Sequence, residues 1–192
     1  MDKNGLSVLK KIVYSPELFI FLSGFLLNFV WEVSQIPFYA GYFNPFNSGE
    51  IKFWFGSEAE KITFVQVFWE ASLSDAMMIL IFYWVVSLIF WNRFWFIGGD
   101  YDTKSSKSRN SPIWGYLISM FLAVSVLAIT EYLSQVQNWW GYSNIMPKIT
   151  KNIGLIPLLG MLVTTPLSYV IVRRIFLGVK IKNTRETDRR DC

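Results

Sequence analysis

Apolar residues run along this chain in four stretches, about 18–39, 65–91, 113–135 and 155–176, separated by polar and turn-rich segments. Each is long enough to cross a hydrocarbon core of roughly 30 Å as an α-helix rising about 1.5 Å per residue. The pattern predicts an all-α, polytopic membrane protein. It reads as a four-transmembrane-helix bundle, a single membrane domain over residues 1–192 ending in a basic tail at 177–192.

Punctuation along the chain agrees with these limits. Pro16 suits the first turn of the first helix, and Pro37 marks a kink or stop near its end. The stretch MDKNGLSVLKKIVYSPELF has no small-residue cleavage pattern, so the first apolar run is expected to be a retained helix. Segment 40–63 carries Phe53, Trp54 and Phe55 beside Glu58, Glu60 and Lys61. It reads either as an interfacial segment or as a loop with anchoring aromatics. Trp91, Phe94 and Trp95 predict an aromatic belt, and GGDYDTKSSKSRNSP predicts a flexible loop. The fourth helix is expected to contain Pro157 and Pro166, which neighbouring groups make tolerable inside a membrane. Its Gly160, Thr164 and Ser168, at i, i+4 and i+8, form a small-residue stripe suited to close helix packing.

Charge gives the orientation. Of the 18 Lys and Arg, 14 lie before the first helix, between the second and third, or at and beyond the end of the fourth. Only Lys52, Lys61, Lys148 and Lys151 lie in the other two connections. The positive-inside rule then predicts both termini in the cytoplasm, N-in/C-in, in a bacterial-type plasma (inner) membrane. The net charge of +4 therefore points to anionic headgroups, with no nucleic-acid partner expected.

The chain has no histidine and one cysteine, Cys192. This excludes histidine-box di-iron chemistry, His-ligated haem, Ser-His-Asp hydrolysis and a CxxC redox pair. No lysine lies within a helix core, and no DDxxD, GxSxG or phosphate-cradling glycine loop occurs. No cofactor is expected, and the carboxylates lack recognisable metal spacing.

Against this background, NFVWEVSQIPFY, residues 28–39, stands out. Asn28, Glu32 and Gln35, at i, i+4 and i+7, share one side of a helix built for lipid. Asp75 on the second helix and Glu131 on the third lie at similar depth, in the half of the bundle distant from the termini. Ser72, Asp75 and Ile79 share a stripe, as do Ala128, Glu131, Ser134 and Gln135. Glu70, about 140° round the helix from Asp75, reads as a solvated or headgroup-level charge. Glu131, about one turn from its helix end, is expected to lie nearest water.

An intramembrane carboxyl costs several kcal/mol unless it is paired, protonated or wet. Interhelical polar contacts return under about 1 kcal/mol on average, too little to explain three such groups by packing alone. Glu32, Asp75 and Glu131 are therefore the candidate catalytic or proton-handling residues. Asn28, Gln35, Tyr39, Trp140 and Tyr142 are the candidate binding residues, the aromatics serving either as a lid or as an outer aromatic belt. An internal similarity relates WEVSQIPFYAGY to TEYLSQVQNWWGY, which align with one extra residue in the second. Either a parallel duplication or shared interface chemistry would produce it.

The pattern of Asn28, Glu32, Gln35, Pro37, Tyr39, Asp75, Glu131, Trp140, Gly141, Tyr142, Met146, Pro147 and Pro157 resembles that of a group of small bacterial four-helix integral membrane proteins. The resemblance implies the architecture and brings no activity with it. At the level of fold alone, an acid in the first of four helices also resembles the small multidrug-resistance exporters, which are shorter and tighter-looped. Acids around an apolar pocket resemble the sterol-isomerase and sigma-2-receptor fold, whose isomerases use a histidine absent here.

The residues themselves are compatible with three roles. One is a protein that binds or modifies a membrane lipid, an isoprenoid or another apolar or amphipathic small molecule by acid–base chemistry. The others are a proton-coupled transporter and a structural subunit of a membrane complex. Enzyme and non-enzyme readings both stay open at this point.

Overall fold

Ser15 opens the first helix by accepting a hydrogen bond from the Leu18 amide at 3.3 Å, and Pro16 follows in the first turn. The structure, a computed structural model, describes residues 15–40, 64–98, 112–137 and 141–188. Helix α1 spans Pro16–Gln35 and gives way to a 3₁₀ turn, Ile36–Phe38, with Pro37 inside it. Helix α2 spans Phe64–Phe90, α3 Pro112–Val136 and α4 Leu155–Asp188. All four are long and apolar enough to cross a membrane, the candidate spans being Pro16–Phe38, Phe68–Phe90, Pro112–Val136 and Leu155–Gly178.

Two limits differ from the sequence expectation. The fourth helix continues to Asp188, so most of the expected tail at 177–192 is helical. Lys180, Lys182, Arg185 and Glu186 are good helix formers, and the backbone hydrogen bonding continues beyond the apolar stretch. Pro157 lies in the first turn of α4, where its missing N–H has no intrahelical partner to lose, and Pro166 alone is interior.

Helices adjacent in sequence pack side by side, and α1 also packs on α4, closing the bundle. Unlike a water-soluble bundle, this one also carries large apolar side chains on its outside. Leu18, Leu22, Leu26 and Val30 of α1, and Leu73, Met77, Ile81 and Leu88 of α2, are exposed at helical spacing. The buried faces combine an apolar cluster, including Ile20, Ile79, Tyr83 and Val172, with small and polar residues: Asn28, Ser72, Ser119, Ser134, Thr164, Thr165 and Ser168. Small residues let helix backbones approach where lipid removes the hydrophobic reason to associate. The expected stripe on α4 does this. Gly160 lies against the Trp31 indole, which an added methyl would overlap, and the Thr164 hydroxyl donates to Asn28 Oδ1 at 3.0 Å.

The two ends of the bundle are built differently. At one end α2 stops in a Schellman-type turn: Asn92 N donates to Ser87 O at 3.0 Å and Trp91 N to Leu88 O at 3.2 Å. Trp91 takes the left-handed position, at φ 50°. The chain then folds back inward. Trp91 is 90% exposed, whereas Trp95 is 4% exposed, so Trp95 is not part of an aromatic belt. Its indole fills the space over Gly115 and packs edge-on to Tyr116 and Tyr169. Arg93 pairs with Glu17 at 2.8 Å across this end.

At the other end two short ladders form. Strand β1 (Tyr39–Ala40) pairs antiparallel with β2 (Gly141–Tyr142), Tyr39 opposite Tyr142. Strand β3 (Lys148–Thr150) pairs with β4 (Ile153–Gly154) and leads directly into α4. Ser143 secures the first ladder, its amide donating to Phe38 O and its hydroxyl to Pro37 O, both at 2.9 Å.

Candidate functional site

The ladder end positions the carboxylates. Glu32 lies one turn before the end of α1, and Glu131 lies near the end of α3. Because the chain after each helix is tied into β1–β2, both helix ends are drawn to one place. Tyr39 and Tyr142 then direct their hydroxyls to the same carboxylate. Tyr39 donates to Glu131 Oε1 at 3.4 Å, and Tyr142 donates a short hydrogen bond to Oε2. The Tyr142 oxygen in turn accepts the Gly154 amide at 2.9 Å, which joins the second ladder to the same network.

Burial and the adjacent Glu131 carboxylate push the Tyr142 hydroxyl above its ordinary range, with the Gly154 amide opposing in part. Lys148 Nζ lies 5.4 Å from the centre of the Tyr142 ring, on an exposed side chain.

Glu32, Asp75 and Glu131 come within electrostatic reach of one another, although they sit on three different helices. Gln35 donates its amide to the Glu32 carboxylate. Its own Oε1 is buried without a hydrogen-bond partner, on a residue that is 4% exposed. Ser72 is fully buried one turn before Asp75, its hydroxyl likewise unpartnered. Glu32 and Asp75 keep part of their surface open, whereas Glu131 is 2% exposed.

That order reverses the sequence expectation, which put Glu131 nearest water. Depth along a helix does not register a ladder folded over the helix end. Asn28 also takes a different place. Its amide donates to Gly24 O at 2.9 Å and accepts from Thr164, so it joins α1 to α4. Trp140 lies outside the described residues, as do Trp139, Tyr42, Phe43, the segments 41–63 and 99–111, residues 1–14 and Cys192. Trp69 packs its ring on Phe25 at 4.8 Å, with Glu70 beside it half-buried.

No family model, no curated protein and no solved structure matches the chain. Among the described residues, no group of three or more His, Cys, Asp or Glu is arranged to hold a metal ion.

The residue that sequence reasoning missed is Thr164 as a partner of Asn28. The i+4 stripe on α4 located it, but nothing in the spacing named the opposing amide. Chemically, the site combines two partly open carboxyls with a third held by two phenols. Such a set can hold protons and pass them between oxygens.

Proposed function

We propose that this protein binds or chemically modifies a membrane lipid or isoprenoid at the carboxyl cluster. Glu32 and Asp75 act as the acid–base pair. Gln35 orients Glu32, and Glu131, held by Tyr39 and Tyr142, sets the local charge. The observation that carries this reading is the convergence of three carboxyls from three helices, with Glu32 and Asp75 still partly open. The distribution of Lys and Arg supports cytoplasmic termini in a plasma (inner) membrane, with the cluster toward the outer leaflet.

Lipid mass spectrometry of one host expressing either wild type or Glu32→Gln/Asp75→Asn, matched for folded protein, tests it. A lipid species made or consumed only with wild type is the expected result. Identical profiles would remove lipid chemistry on any substrate that the host supplies.

A second reading, proton-coupled transport, draws on a different observation. Buried hydroxyls continue from the cluster toward the opposite end: Ser72, Thr164, Thr165, Ser168, Ser119 and Tyr169. Beyond them, Tyr83 donates to Arg93 O at 2.7 Å and lies 3.3 Å from Glu17 Oε1. Proteoliposomes with an internal pH dye separate the two readings. Substrate-dependent proton flux abolished in Glu32→Gln would favour transport.

A further inference from the structure

Among the described residues the cluster is rich in oxygen atoms and forms no ion pair with a basic side chain. Glu32, Asp75 and Gln35 Oε1 present oxygen atoms to it, and the Gln35 amide is given to Glu32. Most nearby donors are spent elsewhere, and the buried Ser72 hydroxyl makes no hydrogen bond to Gln35. Tyr39 and Tyr142 both go to Glu131, and Thr164 goes to Asn28. The described basic side chains do not offset the charge. Arg93 pairs with Glu17, Arg173 lies by Tyr116, and Arg174 is exposed farther along α4, beyond Arg173, while Lys148 and Lys151 are exposed near the strands. None forms an ion pair with Glu32 or Asp75 among the described residues.

A buried amide oxygen with no donor loses its hydration without replacement, which destabilises the empty site. Resting on the reading above that this cluster is a binding site, we propose that its ligand is an amphipathic molecule with a protonated amine. The ammonium N–H groups satisfy Gln35 Oε1 and its charge meets Glu32 and Asp75. A neutral alcohol would supply the donor without the charge, and an anion would supply neither.

The surroundings fit the apolar part of such a ligand. Phe25, Phe29 and Glu32 follow one another at i, i+4 and i+7 on one face of α1. The two phenyl rings stack at 6.2 Å, and Trp69 of α2 closes on Phe25. An aromatic seam between α1 and α2 thus leads to the partly open carboxyls. Aromatic faces also attract a cation that passes over them.

The test uses the full chain in phosphatidylcholine nanodiscs, with tryptophan fluorescence as the readout and empty discs as the blank. Dodecylammonium, dodecanol and dodecyl sulfate are titrated separately. Saturable binding of dodecylammonium, at least about ten-fold tighter than that of dodecanol, is expected from a charged hydrogen bond in a buried site. Gln35→Leu keeps every charge and should weaken the amine about five- to ten-fold while leaving dodecanol unchanged. Glu32→Gln/Asp75→Asn should erase the preference. Should that double variant fail to fold, Gln35→Leu alone decides.

Equal affinity for amine and alcohol, preference for the sulfate, or an amine affinity indifferent to Gln35→Leu would each overturn the proposal. Repeating the amine titration in discs containing phosphatidylethanolamine identifies the source. Competition assigns the site to a lipid headgroup amine, and its absence assigns it to a free amphipathic amine. The lipid-profile experiment is independent of this one. A changed profile without amine preference would sink the inference alone, and amine binding with an unchanged profile would sink lipid chemistry alone.

Discussion

Tyr39 and Tyr142 face each other across the β1–β2 ladder, and both hydroxyls end on the carboxylate of Glu131. Two residues from connections far apart in the chain thereby hold one buried acid. Their rings sit 5.9 Å apart at a tilt of 46°, which leaves each hydroxyl free to reach a different carboxylate oxygen.

Tyr142→Phe should destabilise the protein by about 1.5–3 kcal/mol, the usual range for a hydrogen bond to a charged group. Tyr39→Phe, which loses the longer bond, should cost less. Thermal unfolding in one detergent, with both variants measured beside wild type, gives the comparison. Equal losses would mean that the two phenols share the carboxylate evenly.

The raised Tyr142 hydroxyl also fixes an alkaline limit. In the unfolded chain this group loses its proton near pH 10, while in the folded chain it keeps it to higher pH. The folded state therefore binds more protons above pH 10, and its stability falls as pH rises through that window. Below pH 10 this contribution is fully present. Unfolding midpoints across pH 9–11 should decline less steeply in Tyr142→Phe, with tyrosinate absorbance near 295 nm as the parallel readout.

Gly115 is the contact most sensitive to one added methyl. The Trp95 indole occupies the place a Cβ would take, so Gly115→Ala should cost about 1–3 kcal/mol through overpacking. Gly178, with nothing within 4 Å of its added Cβ, is the control. There Ala should be neutral or stabilising by up to about 1 kcal/mol, from helix propensity alone. Matched melting curves would settle both.

The Asn28–Thr164 bond should behave as an interhelical contact of modest strength. A double-mutant cycle with Asn28→Leu and Thr164→Val is expected to return a coupling of about 0.6 kcal/mol, and no more than about 1.7 kcal/mol. A coupling near zero would show that α1 and α4 are held by the Trp31–Gly160 contact instead.

Trp91 holds a left-handed backbone conformation that costs a non-glycine residue about 1–2 kcal/mol. Trp91→Gly should therefore raise stability in detergent by about 1 kcal/mol. A loss would show that the exposed indole repays that cost by anchoring in the apolar phase.

The four helices were legible from the run lengths of apolar residues, because a hydrocarbon solvent imposes one length on any spanning helix. Ser72, Asp75 and Ile79 could be placed on one face of α2 from spacing alone. Other features could not be read this way. Trp95 looked like an interface aromatic and is buried, because the turn after Trp91 sends the chain back over Gly115. Glu131 looked nearest to water and is almost sealed, because β1 and β2 come from segments that helical periodicity does not connect. Gln35 could be placed beside Glu32 from spacing. That one of its two amide atoms would be left without a partner depended on how side chains from other helices are directed, which spacing does not give.

The ladder also sets an order of events during synthesis. Tyr39 leaves the ribosome long before Tyr142, and α2 and α3 are made in between. Until the second half of β1–β2 arrives, Glu32 and Asp75 must share the nascent pair of helices without the caged Glu131. The newborn chain thus brings two carboxyls together first, and the third like charge joins them only later in insertion. Closure of a ladder two residues long on each strand is the step that brings both phenols onto that last carboxyl.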